Sequence, residues 1–243
     1  LTAVGSMAAG PAARRYQALG RTVFGCDIYP REWTALAGEL DFFQARLATE
    51  GEPYVEQLKE AVRRDGLDFV IPLTDPEVDA LSPRKAEFRA LGCTVCVPEE
   101  RVAALCRRKD KMNRFLAEKQ VCRLIPTEIA VPGRPCPFPF PAMVKPRSGR
   151  SSLGQAVAAD EKSYQTALAG REDCIVQPFL EGDIFCVDVA RDAFGHTRAA
   201  ARQELLRNKS GLGMTVEVLA DHPLEAVCAA IAEAVGLGGV VNM

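Results

Sequence analysis

Five prolines, at positions 132, 135, 137, 139 and 141, hold the middle of this chain extended and decide how the residues after them can fold. Each fixes φ and removes a backbone donor, so no helix can run through the segment. The residues that follow, Ala142-Met-Val, are apolar and too few for a helix, and they read as a strand. That strand delivers Lys145 to its end. An ammonium there is costly to bury unpaired, and its three donors suit phosphate oxygens. The next stretch, Ser148-Gly-Arg-Ser-Ser-Leu-Gly154, carries little bulk apart from Arg150 and Leu153. Backbone N–H groups in such a loop can curl round an anion, with Gly149 and Gly154 free to take positive φ. A hairpin turn with a lysine leaning out of an edge strand accounts for the same residues.

At 243 residues the chain has room for two ordinary domains. Hydrophobic residues at 48% and charged residues at 26% give the balance of a soluble globular protein. A net charge of −2 supplies no field for nucleic acid or an anionic membrane. No apolar run is long enough to span a bilayer, and the first residues lack a basic-then-apolar leader, so a cytoplasmic location is expected. Nine scattered cysteines fit reduced thiols in that compartment. Cys93-Thr-Val-Cys96 has no second cysteine pair at zinc-ribbon spacing, and His196 and His222 are distant in sequence. It reads as the two ends of a small apolar strand.

Periodicity divides the chain near residue 97. Residues 2–5, a helix to about Leu19 and a strand over Thr22–Ile28 form an opening β-α-β of a parallel sheet. Gly5, Gly10 and Asp27 are an incomplete dinucleotide fingerprint, and a tight strand-to-helix turn is the preferred reading. A helix over 53–65 places Val55, Leu58 and Val62 on one face. Strands over 67–73 and 94–97 flank a helix started by Thr74-Asp-Pro-Glu77, which Pro83 can break. The second half begins with a helix over 98–106 and another opened by Arg107-Arg-Lys-Asp-Lys111. Strands follow at about 125–131, 140–145, 155–159, 173–177, 184–191, 197–204 and 214–218, with helices near 161–169 and 223–235.

The order of these features resembles the ATP-grasp superfamily, in particular proteins similar to the large subunit of carbamoyl phosphate synthetase. Asp110-Lys111 opens a helix, Lys145-Pro ends a strand, and a Gly/Ser loop follows. Cys174-Ile-Val-Gln-Pro-Phe-Leu-Glu-Gly-Asp183 and Phe185-Cys-Val-Asp-Val-Ala-Arg-Asp192 come next. The resemblance implies a mixed α/β and α+β architecture: a Rossmann-like pre-ATP-grasp domain over 1–97 and an incomplete ATP-grasp domain over 98–243. It implies ATP and a small carboxylate as partners, and it allows a homodimer.

By position, the resemblance makes Lys111 and Lys145 the phosphate-contacting bases. Ser148, Gly149, Ser151, Ser152 and Gly154 belong to the lid over the phosphates. Gln177, Pro178, Phe179 and Leu180 form the hinge that binds the adenine edge, with Phe179 donating its N–H. Strict alignment puts Ile184 where an acid normally holds the ribose, so Asp183 or Glu181 must substitute. Arg202 and the loop Asn208–Gly213 resemble the segment facing the acceptor, and Arg202 could hold its carboxylate bidentately. Asp188, flanked by Val187 and Val189, faces either the cleft or water. The family's magnesium ligands, a Gln or Glu and then a Glu-x-Asn, are expected beyond Met243, so no metal ligand is assigned. The expectation is either a piece of a longer carbon–nitrogen ligase working through an acyl phosphate, or a nucleotide-binding regulatory module.

Overall fold

The structure, a computed structural model, describes residues 1–150, 152–208 and 213–243. It divides into two compact units, Leu1–Ala103 and Ala104–Met243.

The first unit is built on short parallel pairings. β1 (Phe24–Asp27) pairs with β2 (Asp41–Gln44), and β3 (Phe69–Val70) with β4 (Thr94–Val95). The segment Leu1–Val4 lies between the two pairs. Val4 N–H donates to Cys26 O at 3.1 Å on one side, and Thr2 N–H to Ile71 O at 3.2 Å on the other. α1 (Ala9–Ala18) packs with Val4, Leu36 and Leu40 on one face. On the other face α2 (Glu52–Asp65), α3 (Asp75–Leu81) and α4 (Lys85–Ala90) bury Tyr54, Val55, Leu58, Val62, Leu81 and Phe88 against Cys26, Val70 and Val95. Helices on both faces of a parallel sheet make this a doubly wound unit. Pro83 interrupts the helix after Leu81 with a 3₁₀ turn over Ser82–Arg84. Glu77 reaches back to the Thr74 N–H at 3.0 Å, which fixes the start of α3.

Two differences from the sequence reading appear here, and one agreement. β2 was not anticipated. The strand expected over 67–73 shrinks to Phe69–Val70, and Pro72, just beyond it, has no N–H to continue the ladder. Asp27 is buried, with Oδ2 accepting from Gly5 N–H at 2.7 Å and Oδ1 from Tyr29 N–H at 3.0 Å. A Cβ on Gly5 would sit 3.0 Å from that carboxylate. The Gly5/Asp27 pair is therefore a tight turn, as preferred from sequence.

The second unit begins inside α5 (Glu100–Arg107). α6 (Lys109–Lys119) leads into an antiparallel sheet of order β5-β8-β6-β7, from β5 (Glu128–Ala130), β6 (Ala142–Pro146), β7 (Ala156–Ala158) and β8 (Cys174–Pro178). α7 (Glu161–Leu168) covers one face, burying Tyr164 and Leu168 against Ala142, Val144 and Val176. A second antiparallel sheet, of order β11-β10-β9-β12, uses β9 (Ile184–Arg191), β10 (Thr197–Arg207), β11 (Gly213–Leu219) and β12 (Gly239–Asn242). α8 (Pro223–Val235) packs on β9 and β10, and Val187, Val189 and Ala201 are buried. The period-2 alternation leaves Asp188 and Arg202 on the opposite face. β12, which was not anticipated from sequence, pairs antiparallel with β9 over Gly239–Asn242.

Candidate functional site

Register places the central lysine. Lys145 pairs with Ile175 across β6 and β8, whereas Val144 pairs with Val176 on the face covered by α7. Lys145 therefore lies on the face opposite α7, half-buried. No described residue forms an ion pair with it. Burial, and then the nearby charge of Lys109, hold its ammonium below the ordinary lysine range. Lys59 shows the contrasting case: it is also buried, but it contacts Glu56 at 2.6 Å and pairs with Glu87, and these bonds raise its pKa. A half-buried lysine beside a second cation, with no acid of its own, is an incomplete charge arrangement that an anion would complete.

The second cation is Lys109, which the sequence reading passed over in favour of Lys111. Lys111 is exposed on α6. Two residues on a helix differ by about 200° of rotation, so Lys109 and Lys111 point nearly opposite ways. Lys109 Nζ donates to Gly149 O at 3.0 Å, and its backbone N–H donates to Arg147 O at 2.9 Å. Burial, and then Arg107, lower its pKa. The run Arg107–Lys111 signalled the cluster but not which lysine turns inward.

An ion network pins this end of the sheet. Arg108 holds Asp110 through two bonds of 3.0 Å, and Arg147 pairs with Asp173. Arg147 Nε also lies 3.9 Å from Asp110, and Arg108 lies 4.0 Å from Asp173. Arg108 holds the Asp110 carboxyl below its usual range. Both nearby acids are thus committed to arginines.

The loop after β6 is exposed at Ser148, Gly149, Ser152 and Gly154; Ser151 lies outside the described residues. Gly154 has φ of 71°, and a Cβ there would meet Arg171 Nη2 at 2.7 Å and Pro146 at 3.1 Å. Arg171 Nη2 donates to Gly154 O at 2.8 Å, anchoring the loop's far end. Most of the loop Asn208–Gly213 also falls outside the described residues.

The expectation that Phe179 offers its N–H needs correction. That group donates to Pro141 O at 3.1 Å, continuing the β6–β8 ladder. Strand alternation turns residues 178 and 180 the other way, towards β5. The register Glu128↔Val176 carried onward puts Pro126 opposite Pro178, and proline has no N–H to donate. The Pro178 carbonyl therefore meets no N–H on that side, and no backbone carbonyl among the described residues accepts the Leu180 N–H. The Gln177 side chain is occupied, donating to Thr127 Oγ1 at 2.8 Å. Asp183 is exposed, and Ile184 opens β9 at 40% exposure.

On the second sheet, Asp188 bonds both Arg202 and Asn242, the latter donating through Nδ2 at 2.8 Å. Arg202 is thus tied to its own sheet by one of its nitrogens. The buried Glu204 side chain accepts from the Cys186 thiol at 3.0 Å and pairs with Arg207 at 2.5 Å. No cluster of three metal-ligating side chains exists among the described residues, and these acids already have partners. They do not form a magnesium site. The free cysteines include Cys93, buried with its thiol pushed up to about 11, and Cys96, half-buried. No helix among the described residues is long and apolar enough to cross a membrane. A concavity of about 270 Å³ beside β5, lined by Arg134, Phe138 and Tyr164, includes none of the groups above.

No family model and no curated protein matches the sequence. Solved structures do match it. A biotin carboxylase–β-γ-ATP complex from Campylobacter jejuni superposes with a TM-score of 0.75 at 16% identity, covering 99% of this chain and 60% of that one. The biotin carboxylase domain dimer of Hydrogenobacter thermophilus 2-oxoglutarate carboxylase, solved with MgADP, ADP and bicarbonate, gives 0.71 at 16% identity, covering 100% and 59%. An L-amino acid ligase from Bacillus licheniformis gives 0.67 at 15% identity, covering 94% and 58%. The chain spans about three fifths of the length of these proteins. Its fold is the ATP-grasp fold that they share.

Proposed function

We propose that this chain supplies the nucleotide-binding part of an ATP-dependent ligase that joins a carboxylate to an amine, or that makes carbamoyl phosphate by the same chemistry. One observation carries the reading: Lys145 is half-buried beside Lys109 with no acid to neutralise it. Triphosphate oxygens would complete both ammonium groups, and the loop after β6, whose Gly149 carbonyl meets Lys109, would add backbone donors. The Pro178 carbonyl and Leu180 N–H match the donor and acceptor on adenine's edge. Asp183 stands ready for a ribose hydroxyl.

The chemistry asks little covalent work of the protein. A carboxylate oxygen attacks the γ-phosphorus and ADP leaves. The amine then attacks the acyl carbon, and phosphate departs with the bonding pair. Lys145 and Lys109 offset phosphate charge and fix its position, which is where such transfers gain most of their rate. Arg202, held by Asp188, presents its remaining donors to the acceptor carboxylate. Because the described residues do not fit magnesium, no step is assigned to it here.

A screen of candidate carboxylates for stimulated ADP release by the full-length protein tests the reading. A substrate-dependent signal that Lys145→Ala abolishes supports it. No stimulation by any carboxylate, with ATP binding intact, favours a nucleotide-binding module without chemistry, the reading to which the committed acids Asp188 and Glu204 also point.

A further inference from the structure

We propose that Arg147 is a positioning residue that keeps Asp173 away from Lys145, so that the lysine stays available to an anion. This rests on the assignment of Lys145 as a phosphate-binding group.

The inference comes from register. Lys145 pairs with Ile175, and the ladder continues with Arg147 N–H donating to Asp173 O at 2.9 Å. In a pleated antiparallel pair, side chains two residues apart share a face. Lys145, Arg147, Asp173 and Ile175 therefore project from the same face, with Asp173 a diagonal neighbour of Lys145. Diagonal neighbours lie about 7–8 Å apart at their backbones, within reach of a lysine. Left unengaged, the Asp173 carboxylate would be the natural partner of the half-buried ammonium.

It is engaged elsewhere. Arg147 Nε binds Asp173 Oδ1, while Arg108 holds Asp110 with a two-pronged contact. The four cations Arg108, Lys109, Lys145 and Arg147 thus face two acids, and the arginines hold both. A guanidinium's planar fork outcompetes a lysine for a carboxylate. The arrangement sorts the charges: the arginines hold the acids, and the two lysines are left without one. Arg147 has a second tie to the site through its carbonyl, which accepts the Lys109 N–H at 2.9 Å. A side-chain substitution leaves that bond in place.

A cycle of variants tests this by titration with ATP and with adenosine. Arg147→Gln frees Asp173 to pair with Lys145, and should weaken ATP about tenfold while leaving adenosine unchanged. Asp173→Asn alone should keep ATP within about twofold of wild type, and the double variant R147Q/D173N should recover the wild-type value to the same margin. Arg147→Lys, which keeps a cation on Asp173, should bind nearly as wild type, and thermal melts confirm that each variant is folded. If R147Q binds ATP as wild type does, the inference fails alone. If the double variant stays as weak as R147Q, Arg147 acts on phosphate directly and the inference again fails. Equal losses for ATP and adenosine would make the network merely structural and overturn it. If wild type binds no ATP, the reading of the site falls and takes this inference with it.

Discussion

Replacing Lys145 with methionine should move stability and nucleotide affinity in opposite directions. Methionine keeps an unbranched side chain one atom shorter than lysine, and it stays opposite Ile175, which is fully buried directly across the ladder. It removes an ammonium that is half-buried and has no acidic partner among the described residues. The unliganded fold thus loses a desolvation cost and gains an apolar cross-strand pair. We expect a stabilisation of about 0.5–2 kcal/mol, the range typical of substitutions that remove a functional strain. For a chain of this size each kcal/mol raises Tm by about 2–4 °C. ATP affinity should move the other way. A charge-assisted hydrogen bond contributes about 1.5–3 kcal/mol, so binding should weaken about 10- to 150-fold. Urea denaturation gives the first quantity and calorimetric titration the second. A variant that is less stable by more than about 1 kcal/mol would show that Lys145 is a structural lysine, as Lys59 is. Unchanged ATP affinity would refute the phosphate assignment.

Three further outcomes follow from the same geometry. Lys145 and Lys109 both have lowered pKa values, and a phosphate must raise them on binding. ATP affinity should therefore be full below the lowered values and fall as pH rises through them towards the ordinary lysine range, with proton uptake on binding at alkaline pH; a flat profile there would contradict this. In the ligand-free protein the unfolded chain holds more protons across that window, so these lysines' contribution to stability improves as pH rises through it. Gly154→Ala must place a Cβ against Arg171 and Pro146 at positive φ, and should cost about 1–3 kcal/mol, measured by thermal melt, while weakening ATP.

Much of the fold was legible because period and punctuation agree. α2 and α8 carry continuous helical stripes, and the Thr74-x-x-Glu77 signal fixes a helix start that the Glu77 bond realises. β9 sets Asp188 between Val187 and Val189, and it forms over Ile184–Arg191 as expected. β2 was not legible: Asp41-Phe-Phe-Gln is short, with apolar residues adjacent rather than alternating, and only its parallel partner makes it a strand.

Within the site, the approximate position of each motif was readable but the direction of its groups was not. Helical rotation decides that Lys109 turns inward, and the bond from its backbone N–H to Arg147 O ties that end of α6 to the strand. Strand parity decides that Phe179 spends its N–H on Pro141. Asn242 joins Asp188 only because β12 pairs antiparallel with β9, a contact between residues 54 apart in sequence. These facts depend on long-range pairing, which a local pattern does not encode.

The account stands or falls on whether the uncompensated lysines bind phosphate. Calorimetric titration of this chain with ATP, ADP, AMP and adenosine measures that directly. The account predicts that affinity falls at each loss of a phosphate and that the difference between ATP and adenosine disappears in Lys145→Met. Equal affinity for ATP and adenosine, or no binding of ATP at all, would contradict it.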